Sequence, residues 1–178
     1  MIYFITGNEN KFKEVKEYLK EDIEQINIDL PEIQSIDSKE VIKAKLIEAL
    51  KHRDGEFIIE DTSLYFDGLN GLPGPLIKWF MSSVGNEGLY KIANTFNNLN
   101  AEAKTIFGYA KNKDEIYFFE GMLKGKITSP KGDKGFGWDP IFIPNDSKVT
   151  LAEMDLSEKN KISMRKEALS KLKEFLSK

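Results

Sequence analysis

The chain has 178 residues, with 26 Lys+Arg against 29 Asp+Glu, a formal net charge of -3, 40% hydrophobic residues and no cysteine. That length buries a core without disulfide or metal staples, and the missing thiols exclude a cysteine nucleophile, a cysteine-zinc centre and a disulfide framework. A single histidine, His52, makes a Ser-His-Asp triad or a histidine-rich metal site hard to assemble, and the near-neutral charge argues against general nucleic-acid binding.

Met1 to Ile5 is too short for a signal-peptide core, and no later stretch reaches the roughly 20 apolar residues of a membrane span, so a soluble, cytoplasmic chain is expected. Ile2 to Ile5 reads instead as a strand. Thr6-Gly7-Asn8 turns it into a helix on which Phe12, Val15, Tyr18 and Leu19 recur at helical spacing. A second strand, Ile23 to Ile28, leads to Leu30-Pro31-Glu32, where proline stops regular structure. Ser38 reads as the N-cap of a helix carrying Val41, Ile42, Ala44, Leu46, Ala49 and Leu50. Phe57 to Ile59 is a short strand and Leu64 to Phe66 another. Gly68 to Pro75, GLNGLPGP, marks a shaped loop inside the domain rather than a linker, with two helices after it. Ala103 to Ala110 and Ile116 to Leu123 flank the turn Asn112-Lys113-Asp114 as a long hairpin. Thr150 to Glu153 has capping-box spacing for a short helix, and Ser163 caps the last one, whose Met164, Ala168, Leu169, Leu172, Phe175 and Leu176 form one stripe. The order of elements predicts a single α/β domain, residues 1–178, with a mixed sheet.

Four places could carry chemistry. Thr6-Gly7-Asn8-Glu9-Asn10-Lys11 lies where a strand becomes a helix, a turn that aims free N–H groups and the positive helix end at an anion; an ordinary capped helix explains it equally well. Glu60-Asp61 at the end of the strand Phe57 to Ile59, with Glu32 in the Pro31 loop, offers the oxygen ligands that Mg²⁺ prefers. The same acids also suit turn and cap chemistry, and strand geometry points Glu60 and Asp61 to opposite faces, so at most one is a direct ligand. In Phe136-Gly137-Trp138-Asp139 an aromatic face could stack on a base while the carboxylate accepts a ring N–H, or the aromatics could simply be core. Lys159, Ser163 and Arg165 precede or open the last helix, where a planar donor could meet an acceptor oxygen. Taken singly, Lys45 and Lys78 are unremarkable helix lysines.

Read in order, TGNENK, LPEIQ, EDTSLYFDGLNGLPGPLIKWF, GFGWDPIF, LAEM and EKNKISMRKEAL resemble the inosine/xanthosine triphosphate pyrophosphatase family, also called Ham1-like, across essentially the whole chain. The resemblance implies a two-lobed mixed sheet with flanking helices and a central nucleotide cleft. It further implies a homodimer, Mg²⁺ dependence, and cleavage of a purine nucleoside triphosphate to monophosphate and pyrophosphate. By position it places the triphosphate on Thr6, Gly7, Asn8, Glu9, Asn10 and Lys11, with Lys45, Thr62 and Lys78. It places the metal on Glu32 and Asp61, with Asp61 also the proton acceptor. It places the base on Phe136, Gly137, Trp138, Asp139, Lys159 and Arg165. The chain departs from the family at Met164, where the usual ending has histidine. A thioether cannot donate a hydrogen bond, so that base contact is absent. Two rival readings follow: a pyrophosphatase of broader specificity, and a non-catalytic nucleotide-binding protein.

Overall fold

Ile2–Ile5 (β1), an apolar tetrapeptide flanked by β2 (Ile23–Ile26) and β3 (Glu56–Phe66), begins the sheet. A computed structural model describes residues 1–178, the side chain of Asn10 excepted. The seven-stranded sheet runs β2-β1-β3-β5-β6-β7, where β5 is Asn100–Ala110, β6 Ile116–Ile127 and β7 Phe142–Pro144; β4 (Pro73–Gly74) pairs with β3 off that path. β1 pairs in parallel with β2 and β3, and every other pair is antiparallel. The α/β class and the mixed sheet are therefore as expected.

The expected strands Phe57 to Ile59 and Leu64 to Phe66 are one strand of 11 residues. Glu60, Asp61, Thr62 and Ser63 stay in the ladder because β5 is equally long and pairs with all of them. The two sides of β3 differ, however. β5 covers one edge throughout, whereas on the other β1 stops at Ile5 opposite Ile59 and β4 begins with Gly74 opposite Leu64. Between those two partners, Glu60 to Ser63 occupy a gap in the sheet.

Alternation along β3 sorts its side chains. On one face Ile58 packs in a core with Phe4, Val15, Phe107 and Leu169, while Leu64 and Phe66 enter another with Ile77, Leu89, Trp138 and Phe142. Glu60 and Thr62 lie between these two cores. On the opposite face Phe57 and Ile59 meet Ile42, Leu46 and Ala49 of α2 (Ser38–His52), and then Asp61, Ser63 and Tyr65 follow. The helices α1 (Glu9–Leu19) and α5 (Met164–Leu176) supply the first core, and α3 (Ile77–Thr95) the second.

Three details differ from expectation and one agrees. β2 ends at Ile26, because the Ile26 carbonyl accepts from Thr6 N (3.2 Å) just as the chain turns away after β1. Asp37, not Ser38, caps α2: its carboxylate accepts from Lys39 N at 2.8 Å, while Ser38 is buried and spends its hydroxyl on Ser63 and Tyr65. The two helices expected after Pro75 are present within α3, separated by the non-helical Gly85 (φ 64°, ψ -176°). Thr150 to Glu153 forms a turn rather than a helix. Glu153 accepts from Thr150 N, but the Thr150 hydroxyl donates to the Lys131 carbonyl, so only half of a capping box exists. The complete box is Asp155 with Glu158, opening α4 (Leu156–Lys161).

Candidate active site

A cavity of about 580 Å³ opens where the gap in the sheet meets the space between the two cores. Its position follows from one close approach. A Cβ on Gly121 of β6 would lie 1.8 Å from the Met164 carbonyl oxygen, so only glycine lets α5 start directly against the sheet. Ser163, whose hydroxyl caps α5 by accepting from Lys166 N, and then Met164 and Arg165 are thereby set into the cavity wall.

Glu60 is the charge centre of this wall. Its side chain is 1% exposed, with Lys11 Nζ at 3.1 Å, Arg165 at 3.4 Å and the Thr62 hydroxyl donating at 2.6 Å. With its proton spent on Glu60, Thr62 accepts from buried Thr105 at 2.9 Å. Burial alone pushes the Glu60 carboxyl up, but the charges of Arg165 and Lys11 and the Thr62 hydrogen bond hold it below the usual carboxylate range. Arg165 reaches a second acid, Glu14, at 3.5 Å, while its Nε is buried without an acceptor among the described residues. Glu60 is expected only as an alternative to Asp61 as a metal ligand, not as a partner of cations, and Glu14 is not singled out as a site residue. The alternation that turns Glu60 away from Asp61 already held the signal for the first, and nothing local held one for the second.

Asp61 has the opposite environment. Burial pushes its carboxyl above the ordinary range, and the hydrogen bond from Ser63 (2.7 Å) and the charge of Lys45 only partly offset this. It lies within β3, not at a strand end as expected, and still reaches the cavity because no strand covers that edge. Thr62 and Lys78 line the same cavity. Lys45 is held 2.6 Å from Glu32, and neither lines the cavity. Among the described residues no group of three or more acids or histidines gathers as a metal cage.

The glycine-rich turn closes the other wall. Phe136 is 58% exposed, with Lys159 Nζ 4.9 Å and the Arg165 guanidinium 6.0 Å from its ring centre. Trp138, by contrast, is core: it is 7% exposed and packs edge-on against Phe142 at 5.6 Å. Asp139 is also buried, and its Oδ2 accepts from Phe136 N and from Lys159, so that oxygen shapes the turn. A side chain at Gly135, where φ is +78°, would collide with Asp139. Asn86, next to the break in α3, donates to the Gly137 carbonyl at 2.9 Å. Met164 is 8% exposed and belongs to the core that holds Leu64 and Leu151 while touching the cavity.

The opening turn is arranged as a cap. Asn8 N donates to the Thr6 hydroxyl, and Lys11 N donates to the Asn8 side chain, both at 3.1 Å. Lys11 lines the cavity, whereas Thr6, Gly7, Asn8 and Glu9 do not, and the expected contribution of Asn10 lies outside the described residues. Since Ile5 pairs beside Ile59, this turn sits at the rim where the gap begins.

The Ham1 family model matches residues 2–175. The chain is 44% identical to the inosine triphosphate pyrophosphatase of Schizosaccharomyces pombe over 98% of this chain and 94% of that protein. The fold superposes on a HAM1 protein from Coxiella burnetii with a TM-score of 0.87 at 26% identity, covering 99% of this chain and 98% of that one. It likewise superposes on a nucleoside-triphosphatase / dITP/XTP pyrophosphatase from Mycobacterium abscessus with a TM-score of 0.76 at 27% identity, covering 96% and 97%. The cavity thus lies in a fold that these proteins share from end to end, and the chain belongs to the Ham1 family.

Proposed function

We propose that the protein hydrolyses non-standard purine nucleoside triphosphates, ITP, dITP and XTP, to the monophosphate and pyrophosphate, removing them from the nucleotide pool. The observation that carries this reading is one cavity that combines an incompletely neutralised carboxylate, Asp61, with Lys11, Lys78 and an exposed aromatic ring framed by cations. The S. pombe relative supports it by name as an inosine triphosphate pyrophosphatase, and the M. abscessus structure as a dITP/XTP pyrophosphatase.

Water attacks the α-phosphorus, the bond to the β-phosphate bridging oxygen breaks, and pyrophosphate leaves. Asp61 orients the water and accepts its proton, a role suited to a carboxyl raised toward neutrality. Lys11 and Lys78 hold the phosphates, Lys45 and Thr62 assist, and the Thr6 to Asn10 turn secures the far end of the triphosphate. The acids present fit a hard cation: oxygen donors without thiol or imidazole, and a carboxylate whose burial the chain's own cations do not fully offset. Asp61 and Glu32 would hold Mg²⁺, which would supply charge neutralisation and Lewis-acid polarisation at the phosphates.

The base stacks on Phe136, with Gly137, Trp138, Asp139 and Lys159 forming the wall around it. The Arg165 Nε, a buried donor without an acceptor among the described residues, favours the 6-keto oxygen of hypoxanthine or xanthine over the 6-amino group of adenine. A second reading, broader purine acceptance, rests on Met164, whose apolar thioether adds no directional bond to that wall. The protein acts in the cytoplasm as a homodimer, the commonest symmetric assembly, without nucleic-acid or membrane partners. Among the described residues no helix is long and apolar enough to cross a membrane. Incubation with ITP and Mg²⁺ is expected to yield IMP and pyrophosphate, with activity lost to a chelator; initial formation of IDP and orthophosphate would reject the reading.

A further inference from the structure

Behind Asp61, on the face of β3 turned toward α2, three hydroxyls stand in line: Ser63 Oγ donates to Asp61 Oδ2 (2.7 Å), Ser38 Oγ lies 2.9 Å from Ser63 Oγ, and Tyr65 Oη lies 3.0 Å from Ser38 Oγ. A hydroxyl has a single proton to give. Because Ser63 gives its proton to the carboxylate, Ser38 has only Ser63 or Asp61 itself, which it also hydrogen-bonds, to donate to. Because Ser38 has then spent its own, Tyr65 must donate to Ser38. The bonds therefore run one way, from Tyr65 through Ser38 toward Ser63 and Asp61, and each donor polarises the next toward the negative charge.

Both serines are buried, at 2% and 1% exposure, so water does not compete for these bonds. The far end is fixed as well. The Gly68 to Pro75 loop presses on the Tyr65 ring, where a Cβ at Gly74 (φ +53°) would come within 3.1 Å of the ring and one at Gly71 (φ +95°) within 3.7 Å. Lys104 Nζ covers the same ring at 5.2 Å from its centre. The block from Glu60 to Pro75 is thus one device, in which the glycine loop sets a tyrosine and the hydroxyls carry its orientation back to the acid.

We propose that Tyr65, Ser38 and Ser63 are positioning residues that hold Asp61 Oδ2 through this directed chain, leaving Oδ1 as the oxygen that meets water. This rests on the assignment of Asp61 as the reacting carboxylate. None of the three residues lines the cavity, so their effect passes through Asp61 alone. A fixed carboxylate lowers the reorganisation needed when the water's proton arrives, so the chain acts on turnover and leaves substrate affinity unchanged.

The test measures kcat and KM for ITP in the presence of Mg²⁺. Ser63→Ala is expected to lower kcat about tenfold and Tyr65→Phe about threefold, the effect fading with distance along the chain, with KM unchanged. Ser63→Thr, which keeps the hydroxyl, is expected to recover most of the rate. In an Asp61→Asn background neither substitution should lower the residual rate further, since the group they position is gone. Asp61→Asn inactive beside Ser63→Ala and Tyr65→Phe with parental kcat overturns the chain while sparing Asp61. Equal losses in both backgrounds also overturn it, because they show an effect that does not pass through Asp61. Near-normal turnover by Asp61→Asn removes the reading on which the proposal stands. Should Ser63→Ala not fold, Tyr65→Phe, which keeps the ring against the loop, decides the same question.

Discussion

Glu60 meets Lys11, Arg165 and the Thr62 hydroxyl on one face of β3, whereas Asp61, one residue on, faces α2 with a hydrogen bond from Ser63 and the charge of Lys45. The first carboxyl is held low and the second pushed high, although desolvation acts to raise both. What separates them is the number of cations that strand alternation delivers to each face. A carboxylate already neutralised by its own chain is a structural anchor that holds cations in place. One left partly uncompensated can still take a proton or a metal, and adjacent acids driven apart in this way mark a division of labour.

The largest expected effect breaks the working half of the pair. Asp61→Asn keeps the shape and removes the basic carboxylate, so turnover is expected to fall at least about a hundredfold with the urea unfolding midpoint unchanged or raised. Near-normal turnover would move the proton acceptor elsewhere. The matching change on the anchor reverses the pattern. Glu60→Ala leaves Lys11 and Arg165 without their shared partner, and a loss of about 3 kcal/mol of stability is expected, read by urea titration. An unfolding midpoint equal to that of the parent would show that the two cations find other partners.

A smaller effect concerns what the anchor holds. If Arg165 reads the keto oxygen, Arg165→Ala should collapse the ITP-over-ATP ratio of kcat/KM, while Met164→His should sharpen it by about 0.5–1.5 kcal/mol, the worth of one neutral hydrogen bond. Unchanged ratios in both would remove the start of α5 from base recognition. The smallest effect is in pH. Glu60, lowered on folding, contributes stability that is present above the unfolded carboxylate range and lost as pH falls through its folded pKa. Asp61, raised on folding, contributes stability that is present below that range and lost as pH rises through its folded pKa. Unfolding midpoints followed from acid to neutral pH should therefore lose part of their acid-side fall in Glu60→Gln and part of any decline on the rising side in Asp61→Asn. Identical profiles in the parent and both variants would contradict the contrast.

Much of the fold was legible because its signals are local. Phe12, Val15 and Leu19 repeat at helical spacing, Asn112 to Asp114 makes a turn between long apolar strands, and Ser163 precedes a helix it can cap; each is decided within a few residues by backbone geometry. The errors fall where a distant partner decided. Glu60 to Ser63 look like a strand end, yet β5 carries them through the ladder. Thr150 looks like a cap, but its hydroxyl goes to Lys131. Trp138 and Phe136 look alike in a glycine turn, and only packing against Phe142 makes one core and leaves the other exposed.

The site divides in the same way. The amino-acid order by itself determined the chemical inventory: carboxylates without thiols, a strand-to-helix turn with a lysine, an aromatic-glycine turn, and a methionine where the resembling family has histidine. It also determined that Glu60 and Asp61 oppose each other, because period-two alternation is a property of any strand. Only the tertiary structure decided which acid would be neutralised. Lys11 and Arg165 lie 49 and 105 residues from Glu60, and their approach depends on α1 and α5 packing over one face of β3 and on Gly121 admitting the start of α5. The gap that admits Asp61 to the cavity is likewise a matter of where β1 ends and β4 begins, lengths fixed by turns on other strands. Charge compensation falls off with distance in space, not along the chain, so the pKa of each acid is written in the packing.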